Sequence, residues 1–150
     1  MMSSKNERLY SMCMTEAAKS ILLYQHACIA TRGGKIMARG YNSMQSRRFH
    51  HMVSPQASCH AEIKVLYSLK SRLLKTTKPH KINKLFKKTT LYLSRVQVNN
   101  NSAPCSECLR VIRQHNIKRI VFHLNDTAYI MNPRTYNTEH CSRGQRSGEY

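Results

Sequence analysis

The sequence predicts an α/β protein, a three-layer α/β/α sandwich around a mixed sheet of about five strands. Helix-like and strand-like patterns alternate along the chain, and a glycine-containing turn joins the first two predicted strands. The chain has 150 residues, 41% of them hydrophobic, which is enough for one core. We therefore expect one domain over residues 1–132, followed by a basic tail over residues 133–150 that has no core pattern and should be mobile.

The first half of the chain predicts a helix, a hairpin and a loop. Apolar residues at helical spacing predict the first helix over Glu7–Leu23. Strands are predicted over Gln25–Thr31 and Lys35–Tyr41, joined by the turn at residues 32–34, which contains two glycines. The polar segment Ser43–Ser58 is predicted to be a loop.

A second helix is predicted to begin near His60 and to end near Lys75. Its expected apolar face consists of Ile63, Leu66, Tyr67, Leu73 and Leu74. The basic segment Thr76–Lys88 is predicted to be a connection with room for one short helical turn. Strand-forming residues then predict a third strand over Thr90–Val98.

The last predicted elements are a helix and two strands. Pro104 suits the first position of a helix, where its missing N–H group costs nothing. A fourth strand is predicted over Arg119–Leu124 and a fifth over Ala128–Met131. The short turn between them predicts that these two strands pair antiparallel.

The net charge is the most unusual bulk property of the chain. Twenty-five Lys and Arg residues face seven Asp and Glu residues, which gives a formal charge of +18. No acidic residue occurs between Ile63 and Ser106. Such a surface should attract polyanions such as nucleic acid, with an affinity that falls as salt rises. The alternative is a solvated basic face without a specific partner.

The sequence favours an intracellular protein rather than a membrane or secreted one. The mean hydropathy is −0.55, and no stretch has the apolar length of a membrane span. The first seven residues lack a hydrophobic targeting core. The six cysteines are therefore not expected to form a disulfide framework. Cys13, Cys28 and Cys141 are predicted to be free thiols, the first two of them in the core.

Two short segments predict a metal site with one open position. Cys59-His60-Ala61-Glu62 reads H-x-E, and Pro104-Cys105-Ser106-Glu107-Cys108 reads P-C-x-x-C. Helical spacing places the two thiols one turn apart on one face, so His60, Cys105 and Cys108 can bind a single Zn²⁺ and leave its fourth position to water. Cys59 is not assigned as a ligand, because neighbouring residues at a helix start point in different directions.

Two alternatives to an open metal site are a closed structural site of the zinc-ribbon type and a set of core residues that bind no metal. A closed site would need a fourth Cys or His in a matching pair. Glu62, for its part, could be an ordinary first-turn glutamate that complements the helix dipole.

These two motifs resemble the signature of zinc-dependent nucleobase deaminases. From about Leu22 to about Met131 the chain is similar to the cytidine and deoxycytidylate deaminase superfamily, and residues 60–63 and 102–109 resemble a branch found in large DNA viruses and some eukaryotes. The resemblance implies that Glu62 accepts a proton from the attacking water, delivers it to the pyrimidine N3 and then protonates the departing amine. It also implies that Asn42 and the backbone N–H of Ala61 contact the substrate, and that the chain forms a homo-oligomer.

The function predicted in this way is hydrolytic deamination of a cytosine nucleoside or nucleotide. One alternative is deamination of cytosine or adenine within RNA or single-stranded DNA, which the charge supports. A second is a nucleic-acid-binding protein that keeps the zinc scaffold without catalysis. The motif departs from the familiar free-nucleotide enzymes in that Ile63-Lys64-Val65, rather than a segment with asparagine, follows Glu62.

The remaining polar residues of interest receive structural or solvent roles. His26, His115 and His123 are interpreted as structural, and Glu107 is expected to face solvent or to cap its helix. His50 and His51 lie in the loop before the metal site, where a solvated pair is favoured over contacts with substrate.

Overall fold

The computed structural model describes residues 3–21, 25–44, 58–96, 101–125 and 127–136. The helices are α1 (Ser4–Ala17), α2 (Ala61–Thr76), α3 (Pro79–Phe86) and α4 (Ser106–Gln114). The strands are β1 (His26–Arg32), β2 (Lys35–Tyr41), β3 (Ser43–Met44), β4 (Ser58–Cys59), β5 (Thr89–Arg95), β6 (Arg119–Leu124) and β7 (Thr127–Met131). Within the described ranges, no helix is long and apolar enough to cross a membrane.

Five strands form one mixed sheet in the order β2-β1-β5-β6-β7. Strands β5 and β6 are parallel, and the other neighbouring pairs are antiparallel. Gly33 and Gly34 both have positive φ angles, 60° and 80°, in the turn between β1 and β2. The hairpin prediction and the antiparallel pairing of the last two strands are therefore confirmed.

The helices cover both faces of the sheet and complete the three-layer sandwich. Helices α2, α3 and α4 pack with Cys28, Leu91 and Ile120 in the larger apolar cluster. Helix α1 packs on the opposite face with Ala27, Ile29 and other strand residues. The predicted α/β/α architecture is confirmed.

Helix α1 ends at Ala17, six residues before the predicted end. The Gln25 side chain donates to the Ser20 carbonyl (2.7 Å), and the Ser20 hydroxyl donates to the Asn42 carbonyl (2.9 Å). These bonds hold the chain after Ala17 in a turn, so the predicted continuation of the helix is wrong. Ile21, which the apolar spacing assigns to the buried face, is 91% exposed.

Two predictions about the basic middle of the chain also need correction. The segment Thr76–Lys88 contains an eight-residue helix rather than a single turn, because Ile82 and Phe86 lie four residues apart and are both buried. Leu74, predicted on the apolar face of α2, is 56% exposed.

The loop predicted over Ser43–Ser58 carries a short ladder at its ends. Ser43 pairs with Cys59, and Met44 pairs with Ser58, as antiparallel strands β3 and β4. This ladder joins the end of β2 to the start of α2. Residues 45–57, including His50 and His51, lie outside the described residues.

Gly40 allows helix α2 to approach strand β2 closely. A Cβ atom at this position would lie 3.2 Å from Cγ2 of Val65, which is tighter than ordinary packing. The Nζ atom of Lys64 lies 4.8 Å from the ring centroid of Tyr41, beside the same contact. The start of α2 is therefore held against the sheet near the end of β2.

The first residues of the predicted tail pack against the folded domain. Pro133 is buried, and the Arg113 guanidinium donates to the carbonyls of Pro133 and Tyr136. The Tyr136 ring lies 5.2 Å from the Phe122 ring. Residues 137–150, including Cys141, lie outside the described part of the chain.

Candidate metal centre and active site

The predicted metal ligands lie at the starts of two neighbouring helices. His60 is the N-cap residue of α2 and Cys105 is the N-cap residue of α4, both with extended backbone. Neither side chain makes a capping hydrogen bond to its own helix. Helix α4 begins at Ser106, so Pro104 precedes the N-cap instead of occupying the first helical position. Cys108 follows in the first turn of α4.

The three ligand side chains converge on one point. The Nδ1 atom of His60 lies 3.0 Å from Sγ of Cys108 and 3.6 Å from Sγ of Cys105. All three donor atoms lie within 4.8 Å of one another. A tetrahedral zinc with bonds of about 2.3 Å to sulfur and about 2.0 Å to nitrogen holds such atoms about 3.5 Å apart. One imidazole nitrogen and two sulfurs at these distances therefore fit zinc.

Among the described residues, this cluster supplies three ligands and no fourth. The side chain of Cys59 is not among those described. Three protein ligands leave the fourth tetrahedral position to water or substrate, which is the pattern of catalytic rather than structural zinc sites. The described side chains are compatible with the half-open site that the two sequence motifs predict.

The surroundings of Cys105 favour its thiolate form. A hydrogen bond from the Cys108 side chain lowers the pKa of Cys105 to about 4, against the opposing effect of burial. Burial lowers the pKa of His60, but the hydrogen bond and charge of Cys105 outweigh it, so that the pKa is raised. Burial raises the pKa of Cys108 well above its ordinary value. Both helix N-termini face the cluster, and their dipoles favour thiolate.

Glu62 lies within the same pocket of side chains. It is 7% exposed, and its carboxyl group lies beside the Cys108 side chain. Burial raises the pKa of this carboxyl group, and the positive charge of His60 partly opposes the shift. A buried carboxyl that contacts a metal ligand differs from an ordinary first-turn glutamate, which would be solvated.

Asn42 and Ala61 both lie close to the ligand His60. Ala61 follows it in the chain, and Asn42 lies opposite it at the end of the β3–β4 ladder. Ser43 pairs with Cys59, so Asn42 and His60 flank the same paired position. The Oδ1 atom of Asn42 accepts a hydrogen bond from the His26 backbone N–H (2.9 Å), which fixes the orientation of the carboxamide. Ala61 is the first residue of α2 and is fully buried.

A hydrogen-bond network behind Cys105 was not predicted from the sequence. Ser102 donates its backbone N–H to the His123 carbonyl (2.8 Å) and accepts the His123 N–H at Oγ (2.9 Å). The Tyr10 hydroxyl lies 3.1 Å from the same Oγ atom. Ser102 stands three residues before Cys105 within the quoted motif segment, but nothing in the sequence indicates its partners.

The other described polar residues singled out in the sequence are not among the three metal ligands. His115 packs edge-on against Phe86, and the ring of His123 packs against Tyr10. Glu107 forms an ion pair with Arg110 one turn later in α4, rather than capping the helix. Cys13 and Cys28 are buried free thiols, as predicted.

Comparison with solved structures places the fold among nucleoside and nucleotide deaminases. A cytidine deaminase from Burkholderia pseudomallei aligns over 93% of this chain and 99% of its own, with a TM-score of 0.62 and 14% identity. A cytidine deaminase from Mycobacterium leprae aligns over 87% and 97%, with a TM-score of 0.54 and 14% identity. The dCMP deaminase of cyanophage S-TIM5, solved with dCMP and dUMP, aligns over 80% and 82%, with a TM-score of 0.52 and 18% identity. At these identities the likeness establishes a shared fold.

Family membership follows from the sequence comparison together with the site. No curated protein matches the chain. Residues 3–124 match the family described as the cytidine and deoxycytidylate deaminase zinc-binding region. That range covers most of the chain and includes His60, Cys105 and Cys108, the residues positioned to bind the metal. The chain therefore belongs to the cytidine and deoxycytidylate deaminase family of zinc-dependent hydrolases.

Proposed function

We propose that this protein hydrolytically deaminates a free cytosine nucleoside or nucleotide: cytidine, deoxycytidine or one of their monophosphates. The observation that carries the proposal is the buried Glu62 carboxyl group beside a three-ligand metal cluster. Such a pair supplies both requirements of the reaction, an activated water and a group that moves protons.

The roles of the site residues follow from their positions. His60, Cys105 and Cys108 would hold zinc, which when bound lowers the pKa of water to about 7. Glu62 accepts a proton from the water that attacks C4 and delivers it to N3 of the pyrimidine. It then takes the second proton from the new hydroxyl group on C4 and passes it to the departing amine. The C4–N bond breaks, water is consumed, and the products are the uracil derivative and ammonia.

Two residues are proposed to hold the substrate. The side chain of Asn42 is assigned to the sugar or base, and the hydrogen bond that its Oδ1 atom accepts from the His26 backbone N–H holds the carboxamide in place. The backbone N–H of Ala61 is one of the first N–H groups of α2, which have no partner within the helix. It is assigned to the polar edge of the base.

The choice of a free substrate is supported by the antiparallel β6–β7 pair. Residues 125 and 126 alone separate these strands, an arrangement that resembles the enzymes acting on free nucleosides. A histidine ligand, by contrast, resembles the deoxycytidylate and nucleic-acid-editing groups. The competing function is deamination of a base within RNA or single-stranded DNA. The formal charge of +18 favours it, since such an enzyme must also hold the phosphate backbone.

Ammonia release across a substrate panel tests both functions. The zinc-loaded protein is assayed with cytidine, deoxycytidine, their monophosphates and single-stranded oligonucleotides that contain cytosine or adenine. Turnover of at least one free substrate is expected. Turnover of oligonucleotides alone would show that the protein deaminates bases within nucleic acid and would contradict the proposed free substrate. An inactive zinc-loaded protein across the panel would contradict both.

We also propose that the chain self-associates. Tyr129 and Ile130 lie on the edge strand β7 and are 38% and 44% exposed, so this edge offers apolar surface to a second copy. Light scattering should give a mass of at least twice 17.4 kDa. A monomer at micromolar concentration would contradict the proposal.

A further inference from the structure

A basic cleft lies at the opposite end of helix α4 from the metal centre. Its volume is about 290 Å³. It is lined by Lys87, Asn116, Ile117, Lys118, Asn132 and Arg134. These residues belong to the end of α3, the connection between α4 and β6, and the segment after β7. Since α4 begins at the ligands and has nine residues, its length separates cleft and metal centre by about 13 Å.

Hydrogen bonds join the three segments that form the cleft. The Asn116 side chain donates to Oδ1 of Asn83 (2.9 Å) and accepts from the Arg134 guanidinium (3.1 Å). The Arg134 backbone N–H donates to Oδ1 of Asn132 (2.9 Å). Asn116 has a φ angle of 58°, the left-handed conformation that asparagine tolerates better than most residues. The cleft is therefore built by defined contacts between distant parts of the chain.

The lining carries three cationic side chains and no carboxylate. Lys87, Lys118 and Arg134 are all exposed. In the described part of the chain, the carboxylates lie on α1 or at the starts of α2 and α4: Glu7, Glu16, Glu62 and Glu107. Helix α3 extends the positive surface beyond the cleft with the exposed Lys81 and Lys84.

We propose that this cleft binds the phosphate groups of a single-stranded nucleic acid. The cations are exposed and continue along α3, which fits a row of phosphates better than one enclosed anion. Aromatic rings are absent from the lining residues, so bases have no stacking partner there and the contacts should be independent of sequence. The site does not depend on the deaminase function, because its residues do not overlap those of the metal centre.

The test compares two variants that remove the same charge at different places. A single-stranded 15-nucleotide DNA of mixed sequence, labelled with fluorescein, is titrated with zinc-loaded protein between 25 and 200 mM salt, and binding is followed by anisotropy. Lys118→Gln/Arg134→Gln removes two cations from the cleft. The matched control Lys35→Gln/Arg39→Gln removes two exposed cations from β2, at the other edge of the sheet from β7.

We expect the cleft variant to lose two phosphate contacts. Its salt slope should fall by about 1.4, and its affinity at 100 mM salt should fall roughly 20-fold, while the control changes little. Equal losses in both variants would show that overall charge, rather than the cleft, attracts the strand. Failure of the wild-type protein to bind at low salt would also overturn the proposal.

Two further measurements keep the outcome distinct from misfolding and from a small-anion site. Lys87→Gln/Lys118→Gln leaves the Arg134–Asn116 bond in place and should weaken binding similarly with an unchanged melting temperature. Inorganic triphosphate is the competing probe: if the cleft variants lose triphosphate binding but retain the oligonucleotide, the proposal is wrong. Ammonia release from free nucleosides and nucleotides should be unchanged in all these variants, because the substituted residues do not overlap those of the metal centre.

Discussion

The hydroxyl group of Tyr10 lies 3.1 Å from Oγ of Ser102, although the two residues are 92 positions apart. The contact joins α1, on one face of the sheet, to the segment that leads into Cys105 on the other. Ser102 also forms two hydrogen bonds with the backbone of His123 near the end of β6: its N–H donates to the carbonyl, and its Oγ atom accepts from the N–H. The position of the first thiol ligand therefore depends on three elements that are distant in sequence.

Removing the Ser102 hydroxyl should destabilise the protein more than removing the Tyr10 hydroxyl. Ser102→Ala leaves the half-buried His123 N–H without this acceptor and the Tyr10 hydroxyl without this partner, at a cost of about 2–3 kcal/mol. Tyr10→Phe keeps the ring against His123 and should cost about 1 kcal/mol. Urea unfolding of the zinc-loaded variants measures both losses. Equal losses, or a larger loss for Tyr10→Phe, would contradict the central place given to Ser102.

Each chain should bind about one zinc through His60, Cys105 and Cys108. Cys105→Ala and Cys108→Ala each remove a thiolate ligand and should abolish stoichiometric zinc, as metal analysis of the purified protein will measure. Cys28→Ala is the matched control, because Cys28 is a buried thiol that is not part of the cluster. The assignment would be refuted if the wild-type protein did not bind zinc, or if a ligand variant still bound it stoichiometrically.

Glu62→Gln should retain zinc and fold but lose most of its turnover. Glutamine preserves the shape of the side chain and cannot carry the proton, so kcat should fall about 10²–10⁴-fold. Glu107→Gln is the control. Glu107 also lies in the first turn of a helix, but its carboxylate forms an ion pair with Arg110 and has no proposed role in catalysis. Unaltered ammonia release by Glu62→Gln would exclude the proton-transfer role.

The metal site could be predicted from sequence because each of its halves is local. H-x-E and P-C-x-x-C each place their residues within a single helical turn, so only the meeting of the two segments required the fold. The contact of Tyr10 with Ser102 has no such local signal. It joins a helix and a loop through one hydroxyl pair, and no spacing in the sequence encodes it.

The incorrect element predictions have similar physical causes. Helix α3 contains only two buried apolar residues, Ile82 and Phe86, so its lysines conceal the helical pattern. The β3–β4 ladder is two residues long, too short for alternation to appear. The early end of α1 is set by hydrogen bonds from the side chains of Ser20 and Gln25 to backbone carbonyls. The spacing of apolar residues carries no information about such bonds.

Cys13 should make the stability of the protein fall at alkaline pH. Burial raises the pKa of its thiol from 9.0 to about 12, although the Ser94 side chain partly opposes the shift. The folded protein therefore retains a proton that the unfolded chain releases above about pH 9. The stabilisation is fully present below that pH and is lost as the pH rises toward 12, by up to about 1.4 kcal/mol per pH unit.

The comparison of wild type with Cys13→Ala isolates this effect. The alanine variant is less stable at neutral pH because it loses packing, and also the thiol hydrogen bond to the Tyr92 carbonyl (3.1 Å). Between pH 8.5 and 10.5, however, its free energy of unfolding should fall less steeply than that of the wild type, because one titrating group is gone. Urea unfolding at half-unit pH steps measures the two slopes. Parallel slopes would mean that Cys13 titrates alike in both states and would refute the raised pKa.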